Sequence, residues 1–163
     1  TTSFAELFLG EGEETLFVSD NTKTMKLIGG VAYEGNTITQ QIGMLQPYQS
    51  VYPVIISNPY VKYESLGVSG ILLYYKDKEA IMDRNKMTEL REEWINFLCN
   101  GNPKVVKDAN GKIILGKVTT TPTFSYASNW GNGLMSIAFA ITEQGKYNNQ
   151  NDLIRNRIIK EVN

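Results

Sequence analysis

Residues 94–118, with the sequence WINFLCNGNPKVVKDANGKIILGKV, constrain the fold most, because the end of a helix is followed at once by a tight turn between strands. Apolar residues recur at spacings of three and four before this point, which places them on one face of an amphipathic helix. They are Met87, Leu90, Trp94, Phe97 and Leu98. Asn100-Gly101 tolerates the left-handed conformation that ends a helix, and Pro103 cannot resume it. The sequence therefore predicts a helix that ends near Asn100 and contributes Trp94, Phe97 and Leu98 to the core.

The second half of the same stretch has the pattern of a β-hairpin. Residues 104–108 and 112–118 are rich in strand formers, and they flank Asn110-Gly111. Asn-Gly between two such runs is the strongest short-range signal for a tight turn. Asp108 also begins a calcium-loop pattern, but the later ligands of such a loop are missing, so the turn is the favoured interpretation. A helix lying against an antiparallel sheet follows from this stretch.

Other segments are predicted to be strands. Apolar residues occupy both faces of 63–75, which is typical of a strand covered on both sides, and 134–143 alternates strictly, with Phe139 in the core. Shorter strands are predicted at 15–20, 24–33 and 51–60, the last between two prolines at an edge of the sheet. Residues 76–86 are predicted to be a polar connection, and 119–133 to be a loop.

These elements predict a mainly β protein of the α+β class: an antiparallel β-sandwich or split barrel flanked by one principal α-helix. We expect one domain in which 1–60 is a β-rich N-terminal region or arm and 61–145 is the sandwich with its helix. Residues 146–163 are predicted to be a C-terminal arm or short helix that reaches for a neighbour rather than closing the core.

Composition and charge exclude several function classes. Sixteen basic and seventeen acidic residues give a formal net charge of −1 without a basic stretch, so nucleic acid is not expected as the primary partner. No run approaches the roughly 20 apolar residues that span a bilayer, so no membrane span is predicted.

The side chains needed for common catalytic and metal sites are scarce. Histidine is absent, and the single cysteine, Cys99, is expected to be a small packing residue rather than a nucleophile. Glu92 and Glu93 are adjacent in the predicted helix, so they point in different directions and do not form a catalytic pair. We predict no catalytic residue, no cofactor, no metal and no enzymatic activity.

Exposed aromatic residues are the candidate binding residues. Four of them are tyrosines in a segment that also contains three prolines, and the other two lie in the predicted loop at 119–133. They are Tyr48, Tyr52, Tyr60, Tyr63, Tyr126 and Trp130. Aromatic side chains on loops anchor protein interfaces, and they also stack on sugar rings. The interface interpretation is favoured, with Trp130 the first choice for a subunit contact.

Three stretches, in this order along the chain, resemble motifs of bacteriophage tail and baseplate proteins. They are GVSGILL at 67–73, WINFLCNGNPKVVKDANGK at 94–112 and MSIAFAITEQG at 135–145. The resemblance covers 66–145. This region is similar to the ring-forming domain of distal tail proteins and to the related tail-tube fold. The similarity implies a β-sandwich or split barrel with one helix, assembled as a ring.

The resemblance implies a virion structural protein of a phage or phage-like tail, in a distal tail or baseplate ring or hub. Its implied partners are copies of itself, in a hexamer or trimer, and other tail proteins, assembled in the host cytoplasm. The alternative that remains open is a carbohydrate-binding β-sandwich module that recognises a host surface. A hydrolase is a weaker alternative because no histidine and no well-spaced carboxylate pair are present.

Overall fold

The computed structural model describes residues 15–28, 31–76, 79–81, 83–108, 110–126 and 135–160. The strands are β1 (Thr15–Ser19), β2 (Thr24–Ile28), β3 (Ala32–Leu45), β4 (Val54–Leu72), β5 (Tyr74–Lys76), β6 (Glu79–Ile81), β7 (Lys104–Lys107), β8 (Ile113–Val118), β9 (Thr123–Tyr126) and β10 (Met135–Gly145). The helices are α1 (Arg84–Leu98) and α2 (Gln150–Arg155). The prediction of a mostly β, antiparallel fold with one principal helix is confirmed, and the sheet is not a closed barrel.

The main sheet has eight antiparallel strands. Seven follow the order β2-β1-β7-β8-β10-β4-β3, and β9 pairs with the first residues of β10, while β5 and β6 form a separate pair. A Cβ atom added at Gly70 of β4 would lie 2.7 Å from Leu27 Cδ2 of β2. The sheet therefore folds back until β2 lies over β4, and the two ends of its seven-strand path are β2 and β3.

Helix α1 contributes its apolar face to the main core. Asp83 caps the N-terminus by accepting a hydrogen bond from the Asn85 backbone N–H at 2.9 Å. Trp94 and Phe97 are buried and pack edge to face, with ring centroids 6.3 Å apart. The helix ends where the sequence predicts, followed by Gly101 at a φ of 76°. Cys99 is exposed, so the expectation that it is a packing residue is wrong.

The hairpin of β7 and β8 lies where its turn residues predict it. Gly111 has a φ of 84°, and its backbone N–H donates to the Asp108 carbonyl at 3.2 Å. Only glycine adopts this conformation without a steric cost, which explains Asn-Gly at this turn.

Several boundaries differ from the sequence prediction. The predicted strand at 24–33 is divided between β2 and β3, and the predicted connection at 76–86 contains β6 and the start of α1. Strand β9 lies in the predicted loop. The expectation that the C-terminal segment reaches for a neighbour is wrong for α2, because Leu153 packs in a second core cluster with Phe17, Val105 and Leu115.

Candidate assembly surface

The outer part of the β3–β4 hairpin extends away from the folded core. Strand β4 pairs with β10 only from Ser65 onward, so residues 54–63 have β3 as their sole strand neighbour in the described part of the chain. None of the residues 37–63 is buried, and all of them except the half-buried Thr39 and Pro47 are exposed. We call residues 37–63 the arm and the other described residues the body.

Apolar side chains cover both faces of the arm. Direct cross-strand partners lie on the same face of a hairpin, and Met44 opposes Ile55 while Leu45 opposes Val54. Because successive residues alternate between faces, these two pairs lie on opposite faces. All four side chains are exposed. We call the face with Met44 and Ile55 the first face and the face with Leu45 and Val54 the second face.

Two irregularities in the strand pairing define the base of the arm. In β3 the register shifts between Glu34 and Thr37, where Gly35 has a φ of 65°. In β4 residues 59–61 have no partner, because Gln40 pairs with Lys62 and Gln41 pairs with Asn58. Bulges of this kind bend a hairpin and increase its twist. The arm is therefore a paired β-hairpin rather than an irregular loop, and it bends away from the rest of the sheet at its base.

Charge is almost absent from the arm. Lys62 is the one charged residue in 37–63, whereas 20% of the whole chain is charged. Exposed strand edges of monomeric proteins usually carry charges that prevent pairing with another chain. Apart from Lys62 at its base, the arm has no charge that would prevent such pairing.

The structure places four of the six predicted aromatic contact residues in the arm. Tyr48 and Tyr52 lie in the connection between the two strands and are 93% and 79% exposed, while Tyr60 and Tyr63 lie at the base. Tyr126 is exposed at the end of β9, on the body. Trp130 lies outside the described residues.

The sequence interpretation missed the aliphatic residues of the arm. Nine of them are exposed although their residue types usually form cores: Ile38, Ile42, Met44, Leu45, Val51, Val54, Ile55, Ile56 and Val61. The signal that could have identified them is the run of uncharged residues from 35 to 61.

Ion pairs fix the body around the base of the arm. Lys112 donates a hydrogen bond to Glu64 Oε1, and this contact, with a smaller Coulombic contribution from Lys146, holds the pKa of Glu64 below its usual value. The Glu64 backbone N–H donates to Glu143 Oε2 at 3.2 Å, and Lys146 Nζ donates to Glu143 Oε1 at 2.7 Å. The hydrogen bond to Glu143 raises the pKa of Lys146. The charges of this region are therefore satisfied within the chain.

A shallow groove of about 320 Å³ lies beside these ion pairs. Its walls are residues 60–63 of the arm and residues 143–146 at the end of β10. It contains two tyrosines, Tyr60 and Tyr63, together with the polar groups of Lys62, Glu143 and Lys146. Aromatic rings next to charged and amide groups can bind either a peptide segment or a sugar.

The predicted fold residues lie at the junction between α1 and the sheet and inside the core. Trp94, Phe97, Leu98 and Phe139 are buried, Pro103 is half-buried, and Gly101, Asn110 and Gly111 are exposed in turns. Next to Pro103, Lys104 is fully buried and paired with Asp20, with 3.2 Å between Nζ and Oδ2. This junction stabilises the fold.

The described residues include no group of three or more side chains suited to hold a metal ion. Within the same residues, no helix has the length and apolar character needed to cross a bilayer.

Comparison with known proteins gives a fold likeness only. No protein-family model matches the chain, and no curated protein matches it. Among solved structures, a chain of the virion of a native gene transfer agent particle aligns with a TM-score of 0.46 at 15% identity, covering 84% of this chain and 95% of that chain. A chain from the tail of an empty gene transfer agent particle with C6 symmetry aligns with a TM-score of 0.47 at 15% identity, covering 84% of this chain and 96% of that chain.

Proposed function

We propose that this chain is a structural subunit of a phage-like tail, and that it assembles through the arm with copies of itself and with other tail proteins. The observation that carries the assembly is a 27-residue hairpin with one charge and no buried residue. The tail assignment rests on the three motifs at 67–73, 94–112 and 135–145, which occur in the order found in tail and baseplate proteins. One of the similar gene transfer agent chains also comes from a tail.

The arm is large enough to form one side of a stable interface. Tyr48, Tyr52 and Tyr60 are 93%, 79% and 94% exposed. An aromatic side chain has about 150–250 Å² to bury, so these three alone offer about 500 Å². The aliphatic residues of the arm add to this area, and a standard interface needs about 800 Å² from each partner.

So many exposed apolar side chains on one hairpin are unusual on a monomer. The largest apolar patch of a typical monomeric protein is about 300–600 Å², and larger patches mark binding sites. The strand edges of the arm also lack the charges that would prevent pairing, which favours pairing with another chain. A subunit of a distal tail or baseplate ring, which the motifs imply, requires such a joining element.

We call residues 42–57 the outer arm. The experiment that tests this function compares the whole chain with a variant that lacks the outer arm. Replacing residues 42–57 with Asn-Gly joins Gln41 and Asn58, which are cross-strand partners, through a two-residue turn. Light scattering coupled to size exclusion, with negative-stain images of each peak, is measured at several protein concentrations. We expect oligomers, including rings of three or six copies, for the whole chain and monomers for the variant.

Tyr147→Ala is the control in this experiment, because Tyr147 is an exposed tyrosine outside the arm. It should leave the oligomers unchanged. A whole chain that stays monomeric at every concentration, or a shortened variant that still forms the same oligomers, would contradict assembly through the arm.

A second candidate function is carbohydrate binding, and the observation that favours it is the groove beside Tyr60 and Tyr63. A glycan array with the whole chain and the Tyr60→Ala variant tests it. Binding that is lost in the variant would support a sugar site, and absence of binding to any glycan would remove this candidate.

A further inference from the structure

We propose that the outer arm of each subunit lies between the arms of two neighbouring copies, with one copy packed on each face. This inference rests on the proposed function, because it names the partner of the assembly surface. It goes beyond it by stating how many copies contact one arm and which residues each of them covers.

The distribution of apolar residues requires a partner on each face. The first face exposes Ile42, Met44 and Ile55 by 59%, 70% and 63%, and the second face exposes Leu45, Val54 and Ile56 by 60%, 48% and 61%. A single partner that docked on either face would leave the other three side chains in water. Removing side chains of this size from water is favourable, so covering both faces is favoured over covering one.

The partner that fits the arm is another arm. Outside the arm, the only exposed large hydrophobic residues among those described are Tyr126 and Tyr147. Two single tyrosines do not cover a surface with three aliphatic residues on each face. The ion pairs around Glu64 and Glu143 also make the neighbouring body surface charged, whereas residues 38–57 contain no charge. Uncharged apolar surfaces of equal size exist on the arms of other copies.

The two faces differ in sequence, so in the proposed arrangement one face of an arm packs on the unlike face of the next. Stacking the first face of one arm on the second face of the next is a heterologous contact, and its repetition produces a closed ring or a helical filament rather than a two-fold dimer. The contact on the first face of an arm buries one set of three aliphatic residues, and the contact on its second face buries the other set. Each set must therefore contribute separately to assembly.

Two matched double variants test this arrangement. Met44→Gln with Ile55→Gln makes the first face polar, and Leu45→Gln with Val54→Gln does the same to the second face, with each pair being direct cross-strand partners. Because none of these side chains is buried, far-ultraviolet circular dichroism should show an unchanged fold. The protein concentration at half-assembly is measured by light scattering for the whole chain and for both variants.

We expect each double variant to raise the concentration at half-assembly by about tenfold or more, since two apolar side chains are lost from a buried contact in either case. A large effect from one face and none from the other would overturn the two-sided arrangement while leaving assembly through the arm intact. No effect from either face would contradict both the arrangement and the proposed function.

Cross-linking identifies the partner as another arm. In a Cys99→Ser background, Met44→Cys and Leu45→Cys proteins are mixed before assembly and treated with a short bifunctional maleimide. Head-to-tail stacking predicts more cross-linked dimer in the mixture than in either protein alone. Equal or absent dimer in all three samples, with assembly preserved, would mean that a surface other than a neighbouring arm covers the faces.

Discussion

Lys104 is fully buried, yet polar oxygen atoms surround its ammonium group. Its Nζ donates to Asn100 Oδ1 at 2.6 Å, to the Asn102 carbonyl at 2.9 Å and to Asp20 Oδ2 at 3.2 Å. The same Nζ lies 4.7 Å from the centre of the Phe97 ring. These contacts join the β1–β2 turn, the end of α1 and the start of β7. The motif Asn-Gly-Asn-Pro-Lys at 100–104 therefore has a structural explanation.

The two partners of this buried ion pair are unequally supported, which predicts unequal effects of removing them. Asp20 also accepts hydrogen bonds from the backbone N–H groups of Thr22 and Lys23 and from Asn100. Among the residues that the structure describes, Lys104 pairs with no second carboxylate. We expect Asp20→Ala to lower the free energy of unfolding by about 3–5 kcal/mol, because it leaves an uncompensated buried cation. Lys104→Met should cost less, about 1–3 kcal/mol.

Urea denaturation of both variants measures these costs. Lys23→Met is the matched control, because Lys23 pairs with Glu93 at the surface and such pairs contribute only about 0–1 kcal/mol. If Lys104→Met lowered the free energy of unfolding as much as Asp20→Ala or more, the prediction would be wrong. The Asp20 carboxylate, and not the Lys104 ammonium group, would then be the group that needs its partner more.

Asp20 also predicts an acid-dependent loss of stability. Burial by itself raises the pKa of Asp20, but hydrogen bonds from Thr22, Asn100 and Lys23 outweigh it and hold the pKa well below its usual range. Its folded pKa is thus below its unfolded value of about 3.9, so its contribution is fully present above that pH and declines as the pH falls toward the folded pKa. Urea midpoints should fall between about pH 4 and pH 2.

Asp20→Asn separates this residue from the other carboxylates, of which Glu64 also has a lowered pKa. The variant should be less stable than the original chain at neutral pH, and the difference between the two should shrink below about pH 4. A difference that stays constant down to pH 2 would contradict the assignment.

At the scale of single elements, the junction between β8 and β10 depends on a close approach of two backbones. A Cβ atom at Gly116 would lie 1.9 Å from the Thr142 carbonyl oxygen, beside the register shift between Glu143 and Gly145. Backbone atoms in a sheet cannot move as a flexible side chain can. We expect Gly116→Ala to destabilise the protein by about 3 kcal/mol or more, measured by thermal and urea unfolding.

Gly43→Ala is the control for this prediction. Gly43 also lies in a strand, but an added Cβ would meet only the Ile56 carbonyl oxygen at 3.8 Å. Alanine should therefore be tolerated there. If Gly116→Ala were as stable as Gly43→Ala, the strand junction would have to be wider than the structure shows.

The elements that could be predicted from the sequence are those with a buried face. Helix α1 and strand β10 have a clear period because one side of each lies in the core, and the β7–β8 turn has a specific residue requirement at Gly111. The arm could not be predicted as a long hairpin, because apolar residues on both faces of an exposed strand erase the alternation. The buried pair of Asp20 and Lys104 joins residues 84 positions apart, which no local pattern reveals.

At the scale of the whole molecule, the formal net charge of −1 means that copies meet without strong long-range repulsion. The joining surface proposed here has one charge, at Lys62, and otherwise consists of apolar and neutral polar side chains. Assembly should therefore be driven mainly by removal of apolar surface from water, and electrostatic attraction should contribute little. The response of the oligomers to different salts distinguishes these two sources of free energy.

Raising sodium chloride from about 0.05 M to about 0.5 M screens charge contacts, and we expect it to change the concentration at half-assembly by less than about twofold. Ammonium sulfate at the same ionic strength should lower that concentration, because sulfate strengthens the burial of apolar surface. Lys62→Gln, which removes the only charge of the arm, should respond to both salts as the original chain does. Oligomers that dissociate in sodium chloride would instead show that charged residues of the body hold the copies together, and the arm would then lose its place as the principal contact.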